Sequence, residues 1–410
     1  MKRCLKWLLA WTLGLSLGAL VFVLLLVQLL RPGPGEWSHP LRLGPWQVNA
    51  SVPAMLRMAT HPLTLRALEG RTLRTRYGAL QWHAGAQPGQ WRAVCAPCTL
   101  RLAGLGDDTI RLSRVEFDVQ RTSQNDLKGE FALGDAPHAV RGQWTAHLAA
   151  SGAQLSFKLP ATPMADTYGL FASVIPELAR ARIDGQLRLD ARLRLPAREW
   201  VVRPQVDGFA VSGLGTEALL SAVPTCHGKP SAIRFGTWLP RAVVAAEDQR
   251  FREHSGYDLD EIVAAWSPGA PRGASTLSQQ LAKLLYTGDS RSHGRKLREL
   301  LYAVELDRTL GKARVLNLYL AIAPWGNGLC GAHAAAWHHA GKRADQLTPT
   351  EAAWLASLLR NPDRELVQMA QRGHVDTERV AWVINNLRPL AKAKREALVE
   401  GLEGWSPAAP

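Results

Sequence analysis

The stretch Val243–Gly256, VVAAEDQRFREHSG, sets two carboxylates, Glu247 and Asp248, side by side directly after a small apolar run. Asp248 stands four residues before Arg252, the spacing of an ordinary solvated salt pair on a helix. Alternatively the two acids are there for proton transfer, where one carboxylate takes a proton and a neighbour tunes it. Downstream, Lys283, Arg291, Arg295, Lys296 and Arg298 fall within sixteen positions. Such a basic set suits a phosphate-bearing group; Arg295, Lys296 and Arg298 also fit a solvated helix face. Between acids and bases, Ser275, Thr276, Gln279 and Gln280 offer short hydroxyls and amides suited to sugar or phosphate oxygens. Gln279 and Gln280 point to different helix faces, so one at most meets a ligand.

These residues need elements to hold them. From about Pro240 onward the texture is helical, as in RKLRELLYAVELDRTL, where Leu297, Leu300, Leu301, Val304 and Leu310 form an apolar stripe. From Gly44 to about Gly208 it is strand-like, with apolar and polar residues alternating between glycine, aspartate and proline turns. GQLRLDARLRLP is the clearest case: Leu187, Leu189, Leu193 and Leu195 alternate with Arg188, Asp190, Arg192 and Arg194. A sheet with one apolar and one wet face follows. Helices are expected in DTYGLFASVIPELARA and in VPAMLRMATHPLTLRAL, the latter interrupted at Pro62.

The N-terminus carries Lys2, Arg3 and Lys6 before an uncharged stretch from Trp7 to Leu30. About 24 residues at roughly 1.5 Å each span a bilayer, and a cleaved signal has a shorter apolar region, so an uncleaved anchor is expected. The positive-inside rule keeps the basic flank cytoplasmic and sends the rest outward. The net charge of +14 then favours anionic lipid or phosphate-bearing substrates, and nucleic acid fits poorly outside the cell. Of five cysteines, Cys95, Cys98, Cys226 and Cys330 lie on the oxidising side. VCAPC reads as a local structural disulfide rather than a redox centre, and no second pair has the spacing of a zinc site.

Four fragments, EDQRFREHSG, RGASTLSQQLAKLL, SRSHGRKLRE and GKARVLNLYLAIAPWGNG, follow in order. Together they resemble the glycosyltransferase domain of peptidoglycan polymerases, the family 51 transglycosylases, monofunctional type. That family's motifs are E-D-x-x-F-x-x-H-x-G, G-x-S-T-x-x-Q-Q-L-x-K, R-K-x-x-E and K-x-x-I-L-E-x-Y-L-N; the first three are complete here, and the likeness covers about Trp238 to Pro362. The resemblance implies a mainly-α, lysozyme-like fold and an enzyme that joins lipid-linked disaccharides. In that reaction a sugar hydroxyl attacks an anomeric carbon that carries a lipid pyrophosphate. By position in the first motif Glu247 is the general base, with Asp248 either raising its pKa or orienting backbone. Catalytic Glu247 and Glu299 would work with Asp248, His254, Ser275, Thr276, Gln280, Lys283, Arg291, Arg295, Lys296 and Arg298 as substrate-binding residues, Lys283 and Arg291 nearest the pyrophosphate. Glu299 either holds a divalent cation (Mg or Mn) or anchors the basic cluster; its simpler reading is a partner for Lys296 or Arg295 at helical spacing. Trp325 and Trp266 either line the cleft or, the simpler reading, pack in the core.

The sequence departs from the family at Asn317 (glutamate), Ala321 (asparagine), Leu284 (asparagine), and His339 and Ala340 (tyrosine and phenylalanine), and the segment between Gly256 and Gly273 is short. These changes spare Glu247 and Glu299. The expected organisation is a multi-domain chain: cytoplasmic tail 1–6, transmembrane helix 7–30, linker 31–43, mainly-β domain 44–208, glycosyltransferase domain 225–375 and helical tail 376–410. The middle region brings no acid–base pair, metal set or phosphate loop, and resembles only faintly, in LEGRTLRTRYGALQW and the repeated strands, the AsmA-type envelope proteins. The leading expectation is a single-pass inner-membrane enzyme that polymerises lipid II in the periplasm and feeds glycan to transpeptidase partners, since no S-x-x-K with K-T-G follows. The alternatives are a catalytically idle lipid II-binding scaffold and a lysozyme-like cleaving enzyme, which would also use two carboxylates.

Overall fold

The computed structural model describes residues 17–18, 21, 24, 27–43, 46–85, 87, 89–101, 109–222, 224, 226, 234–265, 275–289 and 293–407. The expected membrane span, Trp266 and Arg291 lie wholly or largely outside these residues. Among the described residues no helix is long and apolar enough to cross a membrane. The chain divides into two compact units that interleave in sequence. One comprises Met1–Leu100, Ile110–Leu170 and Leu187–Val206; the other comprises Arg101–Thr109, Phe171–Gln186 and Asp207–Pro410. This differs from a simple cut between 208 and 225, because residues 171–186 group with the helical unit.

The first unit opens with an antiparallel hairpin, β1 (Ser38–Leu43) and β2 (Trp46–Ser51). Two short helices follow, α1 (Val52–Ala59) and α2 (Pro62–Leu68). Ser51 Oγ caps the first by accepting from Ala54 N–H, and Pro62 opens the second where its missing N–H costs nothing. The break expected at Pro62 is therefore present. Next come β3 (Thr72–Thr75), β4 (Gly78–Ala84), β5 (Gln90–Cys95), β6 (Cys98–Arg101), β7 (Thr109–Leu112), β8 (Val115–Arg121), β9 (Asp126–Leu133), β10 (Val140–Ala149), β11 (Gly152–Pro163), β12 (Arg182–Leu195) and β13 (Glu199–Ser212). Nine of these form one sheet in the order β13-β12-β11-β10-β9-β8-β5-β4-β3, while β6 and β7 pair separately. The Cys95–Cys98 disulfide closes the β5–β6 corner, as the local reading of VCAPC anticipates.

The alternation read from sequence is the alternation of burial. Along β10, Val140, Gly142, Trp144, Ala146 and Leu148 are buried while the residues between them are exposed. Val119, Leu127, Trp144, Ala146, Leu148 and Ala153 form the core of this face, with Phe117 stacked on Trp144 at 4.7 Å between ring centroids. Gly129 on β9 makes this packing possible. A Cβ there would meet Asp118 O at 1.7 Å and Trp144 Nε1 at 2.7 Å, and its absence lets the indole donate to Asp118 O at 3.0 Å.

DTYGLFASVIPELARA is less helical than its composition suggests. It gives α3 (Met164–Gly169) and then a single 3-10 turn, Pro176–Ala179. Pro176 keeps that turn separate from any preceding helix, because the residue before a proline is pushed out of the α region; Ile175 has φ −123° and ψ 88°.

The helical unit contains α4 (Trp238–Glu247), α5 (Leu259–Ala265), α6 (Leu277–Ala282), a π-turn (Lys283–Thr287), α7 (His293–Ile322), α8 (Ala332–Ala340), α9 (Pro349–Ser357), α10 (Pro362–Arg372), α11 (Thr377–Asn386) and α12 (Lys392–Glu400). Gly311, at φ 70° and ψ 162°, divides α7 into two helices. The stretch Leu301–Leu306 is buried all round rather than along one stripe, which makes α7 a central helix. Small residues let α4 and α9 approach closely: Ala242, Ala245 and Ala246 on one, Ala352, Ala353 and Ala356 on the other. Trp325 is fully buried, in line with the packing expected of it. A second disulfide, Cys226–Cys330, closes a separation of 104 residues whose pairing the sequence leaves open.

Candidate active site

Glu247 is the last residue of α4, and Asp248 is its C-cap. Ending the helix there turns the two adjacent acids to different tasks. Asp248 is buried, accepts from Leu277 N–H through Oδ2 at 2.9 Å, and meets His254 Nε2 at 2.9 Å through Oδ1. It thus ties the end of α4 to the first turn of α6, where an acceptor meets otherwise unpaired N–H groups. The His254 side chain is buried behind it, edge-on to Phe251, and the His254 carbonyl accepts from Lys312 Nζ. Of the two roles open to Asp248, orientation of the backbone is the principal one here.

Glu247 faces a cleft of about 290 Å³ whose lining includes Asp248, Asp258, Ser275, Thr276 and Trp382. Gln280 Nε2 donates to Glu247 Oε2 at 3.0 Å, and Gln280 Oε1 accepts from the buried Tyr319 hydroxyl at 2.8 Å. Burial pushes the Glu247 carboxyl above the usual carboxylate range. The Gln280 bond and the Arg379 charge pull it back, and Asp248 adds a smaller push by like charge. A carboxylate so tuned is a suitable proton acceptor near neutral pH.

Thr276 and Gln279 have structural work. Thr276 caps α6 by accepting from Gln279 N–H, and Gln279 Oε1 accepts in return from Thr276 N–H at 3.0 Å, a capping box. Thr276 Oγ1 also donates to Gly256 O at 2.7 Å. Gly256, at φ 88°, lies against α7 so closely that a Cβ would meet Ala303 O at 2.4 Å. One turn thereby joins the first motif, the second motif and the central helix.

Two cations of the basic cluster, Arg295 and Lys296, flank Glu299, whose side chain is wholly buried on α7. Arg295 pairs with Oε1, and Lys296 Nζ lies 2.8 Å from Oε2, outside hydrogen-bond alignment. Lys296 Nζ also donates to Ser275 Oγ at 2.7 Å, which carries the cluster to the wall of the Glu247 cleft. The described surroundings of Glu299 are cationic, and among the described residues no group of three or more His, Cys, Asp or Glu could hold a metal ion. Its pairing with Arg295 and Lys296 makes the carboxylate an anchor for those two cations.

The other cations are placed differently. Lys283 opens the π-turn and pairs with exposed Asp289 at 2.5 Å. Arg298, expected among the substrate-binding residues, is instead bound to Glu177, a residue of the 3-10 turn. Three further residues at this site escape the sequence reading. Tyr319 orients Gln280; it stands at the tyrosine of the fourth motif, which was the available signal. Arg379 donates to Ala246 O at 3.1 Å and lies over the Trp382 ring at 4.3 Å. Trp382 is 40 % exposed in the cleft. Both come from α11, in a stretch expected only as a tail, and only their i, i+3 spacing hints at a shared face.

The transglycosylase family model matches residues 230–388, the segment that holds Glu247, Glu299 and α11. Among similar proteins, the biosynthetic peptidoglycan transglycosylase of Azoarcus sp. (strain BH72) is 42% identical over 172 residues, 38% of this chain and 74% of that protein. The protein of the same name from Shewanella oneidensis is 44% identical over 158 residues, 38% of this chain and 67% of its own. That from Nitrosomonas eutropha is 43% identical over 129 residues, 30% of this chain and 53% of its own. The chain thus spans between about half and three quarters of the length of these relatives. With its first two motifs lining one cleft, the third joined to it through Lys296 and Ser275, and these relatives beside it, the chain belongs to the transglycosylase family, that of the peptidoglycan glycosyltransferases.

Proposed function

We propose that this chain polymerises lipid II into glycan strands, with release of the lipid pyrophosphate. The observation that carries the reading is the Glu247 carboxylate, raised by burial and held by Gln280 on one wall of the cleft that Ser275 and Lys296 reach from the other. Glu247 takes the proton of the attacking sugar hydroxyl, which forms the new glycosidic bond as the anomeric carbon–oxygen bond to the pyrophosphate breaks. Lys296, Arg295 and Lys283 stabilise the negative charge that gathers on the departing pyrophosphate. Glu299 spaces and orients Arg295 and Lys296 from its buried position, while Lys283 pairs with Asp289. Asp248, His254 and Thr276 hold the walls rather than the substrate.

The basic flank and apolar segment 7–30 support a single-pass anchor in the inner membrane with this site in the periplasm, where lipid II and transpeptidase partners would be met. Incubation of the purified full-length chain with labelled lipid II tests the reading: glycan polymer and free lipid pyrophosphate are expected. Bound but unpolymerised lipid II would favour the scaffold, and shortening of preformed glycan would favour cleavage.

A further inference from the structure

Residues 171–186 run from the end of α3 through the 3-10 turn into the first five residues of β12, ahead of the region that the family model matches, yet they belong to the helical unit. The 3-10 turn and its C-cap set Glu177 and Arg180 against Arg298 and Tyr302, four residues apart on one face of α7. Glu177 is 5 % exposed and takes three hydrogen bonds from Arg298: Nε to both carboxylate oxygens at 2.8 Å and Nη2 to Oε1 at 2.6 Å. Arg180 Nη2 donates to Tyr302 Oη at 3.1 Å. Tyr302 stacks face to face on Tyr286, with ring centroids 4.1 Å apart and planes within 2°. Tyr286 belongs to the π-turn that Lys283 opens.

We propose that Glu177 and Arg180 are positioning residues of the transferase site, and that the Phe171–Gln186 segment sets the geometry of the cations that receive the pyrophosphate. The inference rests on the lipid II reading above. Arg298 adjoins Glu299 in sequence and lies one turn after Arg295 on the same helix. An uncommitted guanidinium there would compete with Arg295 and Lys296 for the Glu299 carboxylate, or for the pyrophosphate itself. Glu177 removes that competitor by a two-pronged pair that fixes its plane. An exposed ion pair would count for little, but here the carboxylate is buried and fully engaged. The second grip runs from Arg180 through Tyr302 and Tyr286 to the backbone that bears Lys283.

The test compares full-length wild type with Glu177→Gln, Arg298→Glu, the exchanged pair Glu177→Arg with Arg298→Glu, and Arg180→Ala, measuring kcat and KM on labelled lipid II, lipid II affinity and melting temperature. Glu177→Gln is expected to lower kcat/KM about tenfold at temperatures where it is fully folded, because small displacements of charge-stabilising groups are costly in rate. The exchanged pair should recover most of that loss, while Arg298→Glu alone should not. A merely structural contact would lower the melting temperature and leave kcat/KM of the folded protein unchanged, and that result overturns the inference. If the Glu177 variants do not fold, the exposed Arg180 decides: Arg180→Ala at wild-type kcat/KM is contrary to the proposal. Should wild type bind lipid II without polymerising it, the affinities decide in the same way. A wild type that neither binds nor polymerises lipid II removes the reading and this inference together.

Discussion

Gln280 stands between Glu247 and Tyr319, donating to the carboxylate at 3.0 Å and accepting from the buried phenol at 2.8 Å. The phenol fixes which end of the amide faces Glu247, so the base is oriented by a residue with no route to substrate. Gln280→Ala should lower kcat on lipid II about tenfold with little change in lipid II affinity. It also removes a bond that favours the charged carboxylate, so the acid limb of the pH–rate profile should move to higher pH. A limb that moves to lower pH would contradict this geometry.

A base kept above the ordinary carboxylate range by burial weakens the fold when ionised. The sign follows from linkage: the folded state holds this proton more tightly than the unfolded state. The cost is complete above the raised folded pKa and disappears as the pH falls through it towards the unfolded value. Glu247→Gln should therefore melt higher than wild type at neutral pH, with the difference shrinking on acidification, as thermal melts across a pH series will show.

Gly256 tests the assembly of the site separately from its chemistry. Its φ of 88° and the 2.4 Å approach of a would-be Cβ to Ala303 O leave no room for a side chain. Gly256→Ala should lower stability by about 1–3 kcal/mol in denaturant titrations, with lipid II turnover lost in proportion to unfolding.

Lys296 joins Glu299 to Ser275, and Lys283 carries charge on the π-turn. Each contributes charge in the ground state and in the transition state. Lys296→Ala and Lys283→Ala should both weaken lipid II binding and turnover, unlike Gln280→Ala. Equilibrium binding beside steady-state rates separates the two classes.

What the sequence discloses follows the range of the interactions. Alternation along β10 and β12 is visible because a strand's two faces are set by its own residues. The break at Pro62 is equally local. The Thr276–Gln279 box has a three-residue signature, but the hydroxyl and amide also look like ligand groups, and only the fold shows them turned on each other. Glu247 and Glu299 are found by motif. The partner of Arg298 is not, since Glu177 lies 121 residues away in a stretch with strand-like surroundings. Arg379 and Trp382 are hidden for the same reason: they reach the cleft through the packing of α11 on α4 and α9.

The central claim is that Glu247 takes the proton while the downstream cations hold the pyrophosphate. Its most direct measurement is polymer formation from labelled lipid II by wild type and Glu247→Gln in parallel, with lipid II affinity recorded for both. Glutamine keeps the shape and a hydrogen-bonding oxygen but accepts no proton, so polymer formation should fall by roughly 10²-fold or more at unchanged affinity. Polymerisation by Glu247→Gln at the wild-type rate would contradict the account.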